Sequence, residues 1–133
     1  ACDVLELGID SRTELQMSLK VAIFIYEPID GDASRVYRGL RTAYEFIASG
    51  DQVQIVFDGS GTEALAEILK PAGKFHSLYE LVKDHISGAC KVCSKSHAVA
   101  QEIADANIDL LDEFEGEASV RKYVSAGFTI LNY

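Results

Sequence analysis

Residues 19 to 26 read Leu-Lys-Val-Ala-Ile-Phe-Ile-Tyr, a nearly continuous β-branched and aromatic run. A strand without polar alternation must be covered on both faces, as happens in a parallel sheet flanked by helices. The run therefore predicts a central strand, and the rest of the chain alternates around it. Val36, Leu40, Ala43, Tyr44 and Ile47 recur at helical spacing until Gly50. Val53 to Phe57 reads as a second strand. Ser60 with Glu63 forms a capping-box pattern opening a helix through Ala64, Leu65, Ile68 and Leu69 that Pro71 ends. A third helix carries Phe75, Leu78, Tyr79, Val82 and Ile86, Gly88 to Val92 is a short strand or strand end, and Cys93 to Ala106 is a helix. Asn107 to Leu111 reads as a short strand. Ser119 begins a final helix with Val120, Tyr123 and Val124, which Gly127 closes before a last strand, Phe128 to Tyr133. This order predicts an α/β chain: three layers, α/β/α, with a mostly parallel sheet of about five strands and right-handed crossovers.

A length of 133 residues suits one domain. Acids outnumber Lys plus Arg by 21 to 12, a formal charge of -9, and a diffuse negative field repels phosphate backbones and anionic lipid surfaces. The expected partners accordingly include neither nucleic acid nor a membrane. No apolar run approaches the roughly 18 residues that span a bilayer, and the start lacks the pattern of a secretory signal, so the expected location is cytoplasmic. The single methionine, Met17, stands directly before the first apolar run. Leu5-Glu6, Ile9-Asp10, Ser11-Arg12 and Glu14-Leu15 can all be back-translated into common cloning sites, so residues 1–16 are expected to be a vector-derived leader or an N-terminal extension, and residues 17–133 a single domain.

In an open α/β sheet the functional crevice lies beyond the carboxyl ends of the strands, which directs attention to three loops. Glu27 to Ser34 carries Glu27, Asp30 and Asp32, which repel the phosphate of a flavin site. Asp58-Gly59-Ser60-Gly61 lacks the Lys-Ser/Thr pair of a phosphate-binding loop and reads as turn and cap. Cys90-Lys91-Val92-Cys93 is a C-x-x-C at a strand-to-helix junction, and it is the chemical candidate. Thiolate is the reactive form of cysteine, and a helix N-terminus with Lys91 and Lys95 nearby favours it. Cys90 is expected to stand at the open crevice and to react ahead of Cys93 and Cys2. His97, one helical turn after Cys93, would make Cys90, Cys93 and His97 three metal ligands, with a fourth still to be found. His76 and His85 read as surface residues of the third helix. A thioredoxin-like reading fails because the C-x-x-C lies two-thirds along the chain and the last proline is Pro71.

Over residues 17–133 the chain resembles the DsrE/DsrF-like family, small sulfur-relay proteins that include the TusD-type subunits. The resemblance rests on the first strand, Lys20 to Tyr26, followed by a helix bearing Arg41, Thr42 and Ala43. It rests also on Val53 to Asp58, on Gly88-Ala89-Cys90-Lys91-Val92-Cys93, and on the ending Ser125 to Tyr133. After the cysteine the relay subunits tend to continue with small residues and a basic pair, where this chain has Val92 to His97. The resemblance implies that Cys90 carries a persulfide, that Cys93 matches the second cysteine of some members, and that the chain forms a homo-oligomer, a trimer or hexamer. The expected function is thus a sulfurtransferase-like carrier of sulfane sulfur on Cys90, served by Cys93, by donor and acceptor proteins and by no cofactor. The competing expectation is a non-catalytic thiol redox switch or metal-binding regulatory module using Cys90, Cys93 and His97.

Overall fold

The computed structural model describes residues 18–133. The expectations for residues 1–16, and with them Cys2 and Met17, lie outside the described residues. Five strands, β1 (Lys20–Ile25), β2 (Gln52–Phe57), β3 (Ile86–Cys90), β4 (Leu110–Leu111) and β5 (Thr129–Asn132), form one parallel sheet in the order β4-β3-β2-β1-β5. The helices are α1 (Ser34–Ala48), α2 (Gly61–Leu69), α3 (His76–Val82), α4 (Lys91–Ser96), α5 (Ala100–Asp105) and α6 (Val120–Ser125). This is the α/β/α architecture expected from the alternation. Among the described residues no helix is long and apolar enough to cross a membrane.

Strand order decides where the helices go. From β1 to β4 the chain advances in one direction, and crossovers of one hand then lay their helices on the same face. Val36, Leu40 and Ala43 of α1, Ala64, Leu65 and Ile68 of α2, Val82 of α3 and Ile103 of α5 all pack there on Val21, Ile23, Ile25, Val53, Ile55 and Phe57. The return from β4 to β5 runs the other way and leaves α6 alone on the opposite face, where Tyr123 meets Ala22, Phe24 and Val56.

Several boundaries differ from expectation. The third helix ends at Val82, and after a 3-10 turn (Lys83–His85) Ile86 belongs to β3. The helix expected over Cys93 to Ala106 is two short ones, α4 and α5. Ala98 takes a left-handed conformation (φ 60°), the Val99 amide bonds the Ser94 carbonyl and the Ala98 amide bonds that of Lys95. That is a Schellman ending with alanine where glycine is usual, so no glycine marks it in the sequence. Of the apolar residues expected to anchor α6, only Tyr123 is buried, while Val120 and Val124 face outward.

Candidate functional site

The sheet register builds the site. β1 and β2 pair in step up to Ile25 beside Phe57, and β2 meets β3 with Phe57 beside Ala89 after an irregularity at Ile55/Val56. The next residues out, Tyr26, Asp58 and Cys90, therefore stand in a row across the carboxyl ends of three adjacent strands. The Asp58 amide bonds the Ile25 carbonyl at 2.9 Å, which ties this row to the sheet. The turn that follows is tight: Gly59 has φ 53°, and a Cβ on Gly61 would lie 1.9 Å from the Ile25 carbonyl oxygen, so only glycine lets α2 start there. Asp58 Oδ1 accepts from the Gly59 amide at 2.8 Å.

Cys90 is the last residue of β3 and the N-cap of α4, and its carbonyl accepts from Ser94 Oγ at 2.7 Å. Cys93 lies in the first turn of α4 and donates its S–H toward Asp58 Oδ1 at 3.4 Å. The two sulfurs and an Asp58 carboxylate oxygen all lie within 4.8 Å of one another. Partial burial, above all, pushes the Cys93 thiol up to about 12; the Cys90 sulfur and the Asp58 carboxylate, both hydrogen-bonded to it, act in the same direction, and the Gly59 amide opposes them. Tyr26 closes the row. Its phenol is raised by burial first, then by the charges of Asp58 and Cys93.

Cys90 and Cys93 are thus brought together as the C-x-x-C spacing implies, but Cys90 does not stand at the open crevice, and His97 stands apart from them. Cys90 has 0% exposure, and Cys93 is the partly exposed member of the pair. The helix that follows Cys90 has six residues, and its Val92 amide bonds the Gly116 carbonyl at 3.2 Å. Lys91 is paired with Asp112 at 3.4 Å. His97 is not part of the thiol cluster: its Nδ1 pairs with the Glu63 carboxylate on α2. The Ser60–Glu63 capping box is consequently not made; Ser60 has helical dihedrals and no capping hydrogen bond. His97 and Glu63 instead line a separate open groove of about 460 Å³ with Ile29, Asp30, Lys70 and Glu102. His76 holds the Ile68 carbonyl through Nδ1 at 2.8 Å and Glu80 through Nε2 at 3.2 Å, a structural bridge between α2 and α3.

The residues that sequence reasoning missed are Asp58 and Tyr26. Both are the first residue beyond a strand, the position that the crevice rule favours, but only the register reveals that they flank Cys90. No family model, curated protein or solved structure matches this chain.

Proposed function

We propose that the chain is a small carrier of sulfane sulfur, held as a persulfide on Cys90, with Cys93 as its partner thiol. The observation that carries this reading is the approach of the two sulfurs within 4.8 Å at the end of β3, beside Asp58. Burial and the hydrogen bonds to Cys90 and Asp58 raise the Cys93 thiol, which favours its protonated form at neutral pH. Cys90, to which the resemblance assigns the persulfide, is the nucleophile of this reading. In loading, the Cys90 thiolate attacks the outer sulfur of a donor persulfide R–S–SH, the donor S–S bond breaks, and R–S⁻ leaves with the bonding pair. In discharge, an acceptor thiolate attacks the outer sulfur of Cys90–S–SH and returns Cys90 as thiolate; alternatively Cys93, once deprotonated, attacks the Cys90 sulfur and expels hydrosulfide, leaving a Cys90–Cys93 disulfide. Burial of Cys90 supports the carrier role, since a sheltered persulfide is kept from stray thiols and oxidants. The resemblance to DsrE/DsrF-like proteins points the same way.

Intact-mass spectrometry after incubation with a small persulfide donor tests the proposal. The expected result is a gain of one sulfur atom that disappears on reduction, persists in Cys93→Ser and is lost in Cys90→Ser. No gain, or a gain unaffected by Cys90→Ser, overturns it.

The same reading includes a homo-oligomer, a trimer or hexamer. Phe128, Ile130, Leu131 and Tyr133, only half-buried on or next to the edge strand β5, support it. Light scattering at micromolar concentration is expected to give a multiple of 14.5 kDa, and a concentration-independent mass near 14.5 kDa excludes it.

A further inference from the structure

Asp58, Cys90 and Cys93 offer one carboxylate and two sulfurs from three separate backbone positions: the residue after β2, the end of β3 and the first turn of α4. Their spacing is that of a coordination shell. With Zn–S near 2.3 Å and Zn–O near 2.0 to 2.2 Å, a tetrahedral edge measures about 3.5 Å between sulfur and oxygen and about 3.8 Å between two sulfurs. Cys93 Sγ and Asp58 Oδ1 are 3.4 Å apart, and all three donor atoms fall within 4.8 Å. The three are also short of positive charge. Among the described residues Asp58 makes no ion pair, Lys91 is engaged by Asp112, and His97 by Glu63. This donor set, two soft sulfurs with one oxygen, suits a borderline-soft divalent ion.

We infer that Asp58, Cys90 and Cys93 form a binding site for a divalent transition-metal ion of the zinc class, with Asp58 in the place that the sequence spacing offered to His97. Binding displaces the two thiol protons to solvent and leaves a tetrahedral ion one open position, on the side of the partly exposed Asp58 and Cys93. This inference does not depend on the sulfur-carrier reading.

Cobalt(II) titration of the full, reduced chain tests it, cobalt serving as the coloured probe of a zinc-type site. The expected result is one equivalent bound, with thiolate-to-cobalt charge-transfer absorption and the intense visible bands of tetrahedral cobalt, all displaced by zinc. Asp58→Asn keeps an oxygen for the Gly59 amide and removes the anionic ligand. It is expected to weaken binding by at least about tenfold, no less than the loss of an outer-shell partner usually costs. Cys93→Ser is expected to halve the charge-transfer intensity, whereas Cys2→Ser and His97→Ala leave spectrum and affinity unchanged. Circular dichroism confirms that each variant is folded, and Cys93→Ser carries the test if Asp58→Asn does not fold. Absence of the charge-transfer band, wild-type affinity in folded Asp58→Asn, or loss of the site in Cys2→Ser or His97→Ala overturns the inference. A chain that binds cobalt in this way and yet gains no sulfur from a persulfide donor refutes the carrier and leaves the metal site standing; the converse result does the opposite.

Discussion

The two faces of the sheet are built on different principles. One is covered by stripes from α1, α2, α3 and α5, and fifteen buried apolar side chains fill it; the other has α6 alone and five. The thin face compensates with ring size. Phe24 stacks on Tyr26 with centroids 6.2 Å apart and meets Tyr123 edge-on at 5.8 Å, and Tyr123 in turn meets Phe128 at 5.8 Å. A few aromatics bury as much surface as several aliphatics, so one six-residue helix suffices. The cost is visible in Tyr123, whose buried hydroxyl has no hydrogen-bond partner among the described residues. Many small contacts can lose a member to repacking, whereas the thin face depends on one anchor whose polar end is unsatisfied.

This contrast can be broken by substitution. Phe57→Ala on the thick face removes a fully buried ring at the end of β2, one residue before Asp58, and is expected to destabilise by ~3–5 kcal/mol in denaturant unfolding. A loss under about 1 kcal/mol would mean that the helical layer collapses into the cavity and is far softer than its packing implies.

A smaller effect sits at the carboxyl ends of the strands, where the two faces meet the thiol pair. Cys93 is raised from 9.0 to about 12 in the folded chain, so folding favours its protonated form. The stabilisation is fully present below about pH 9 and is lost as pH climbs towards about 12. The stability difference between the native protein and Cys93→Ser is therefore expected to be flat up to pH 9 and to move against the native protein above it. A difference that stays constant from pH 9 to pH 12 would show that Cys93 ionises like an ordinary thiol.

Smallest of all is Tyr123→Phe, which keeps the ring against Phe24 and Phe128 and deletes the unpartnered hydroxyl. Thermal unfolding is expected to be unchanged or raised by a few degrees, on the order of 0.5–1 kcal/mol. A fall of more than about 1 kcal/mol would reveal a partner for that hydroxyl and remove the weak point of the thin face.

Much of this architecture is legible in the sequence. The run from Leu19 to Tyr26 predicted a strand covered on both sides, and β1 is the second-to-last position from one edge with both neighbours parallel. Ser119 marks the start of the last helix, and its side chain accepts from the Lys122 amide at 3.1 Å. Gly50 and Gly127 mark helix stops, and both adopt the left-handed conformation that ends α1 and α6. What failed were signals that depend on a distant partner. Glu63 carries the spacing of a capping box, but an imidazole from α4's far end claims its carboxylate. Ala98 ends a helix with no glycine to announce it, and Ile86 fits a helical stripe although it pairs beside Ile55 in the sheet.

The thiol site divides in the same way. That Cys90 and Cys93 would share one end of the sheet follows from their separation of three residues at a strand-to-helix junction, because local geometry alone keeps them close. That Asp58 and Tyr26 would join them, that His97 would turn away, and that Cys90 rather than Cys93 would be sealed from solvent were decided by tertiary structure. Side-chain periodicity along one strand encodes which residues face a layer, and it carries no record of which strand lies alongside or in what register. Asp58 stands 32 residues before Cys90 in the chain, and only the parallel pairing of β2 with β3 makes them neighbours.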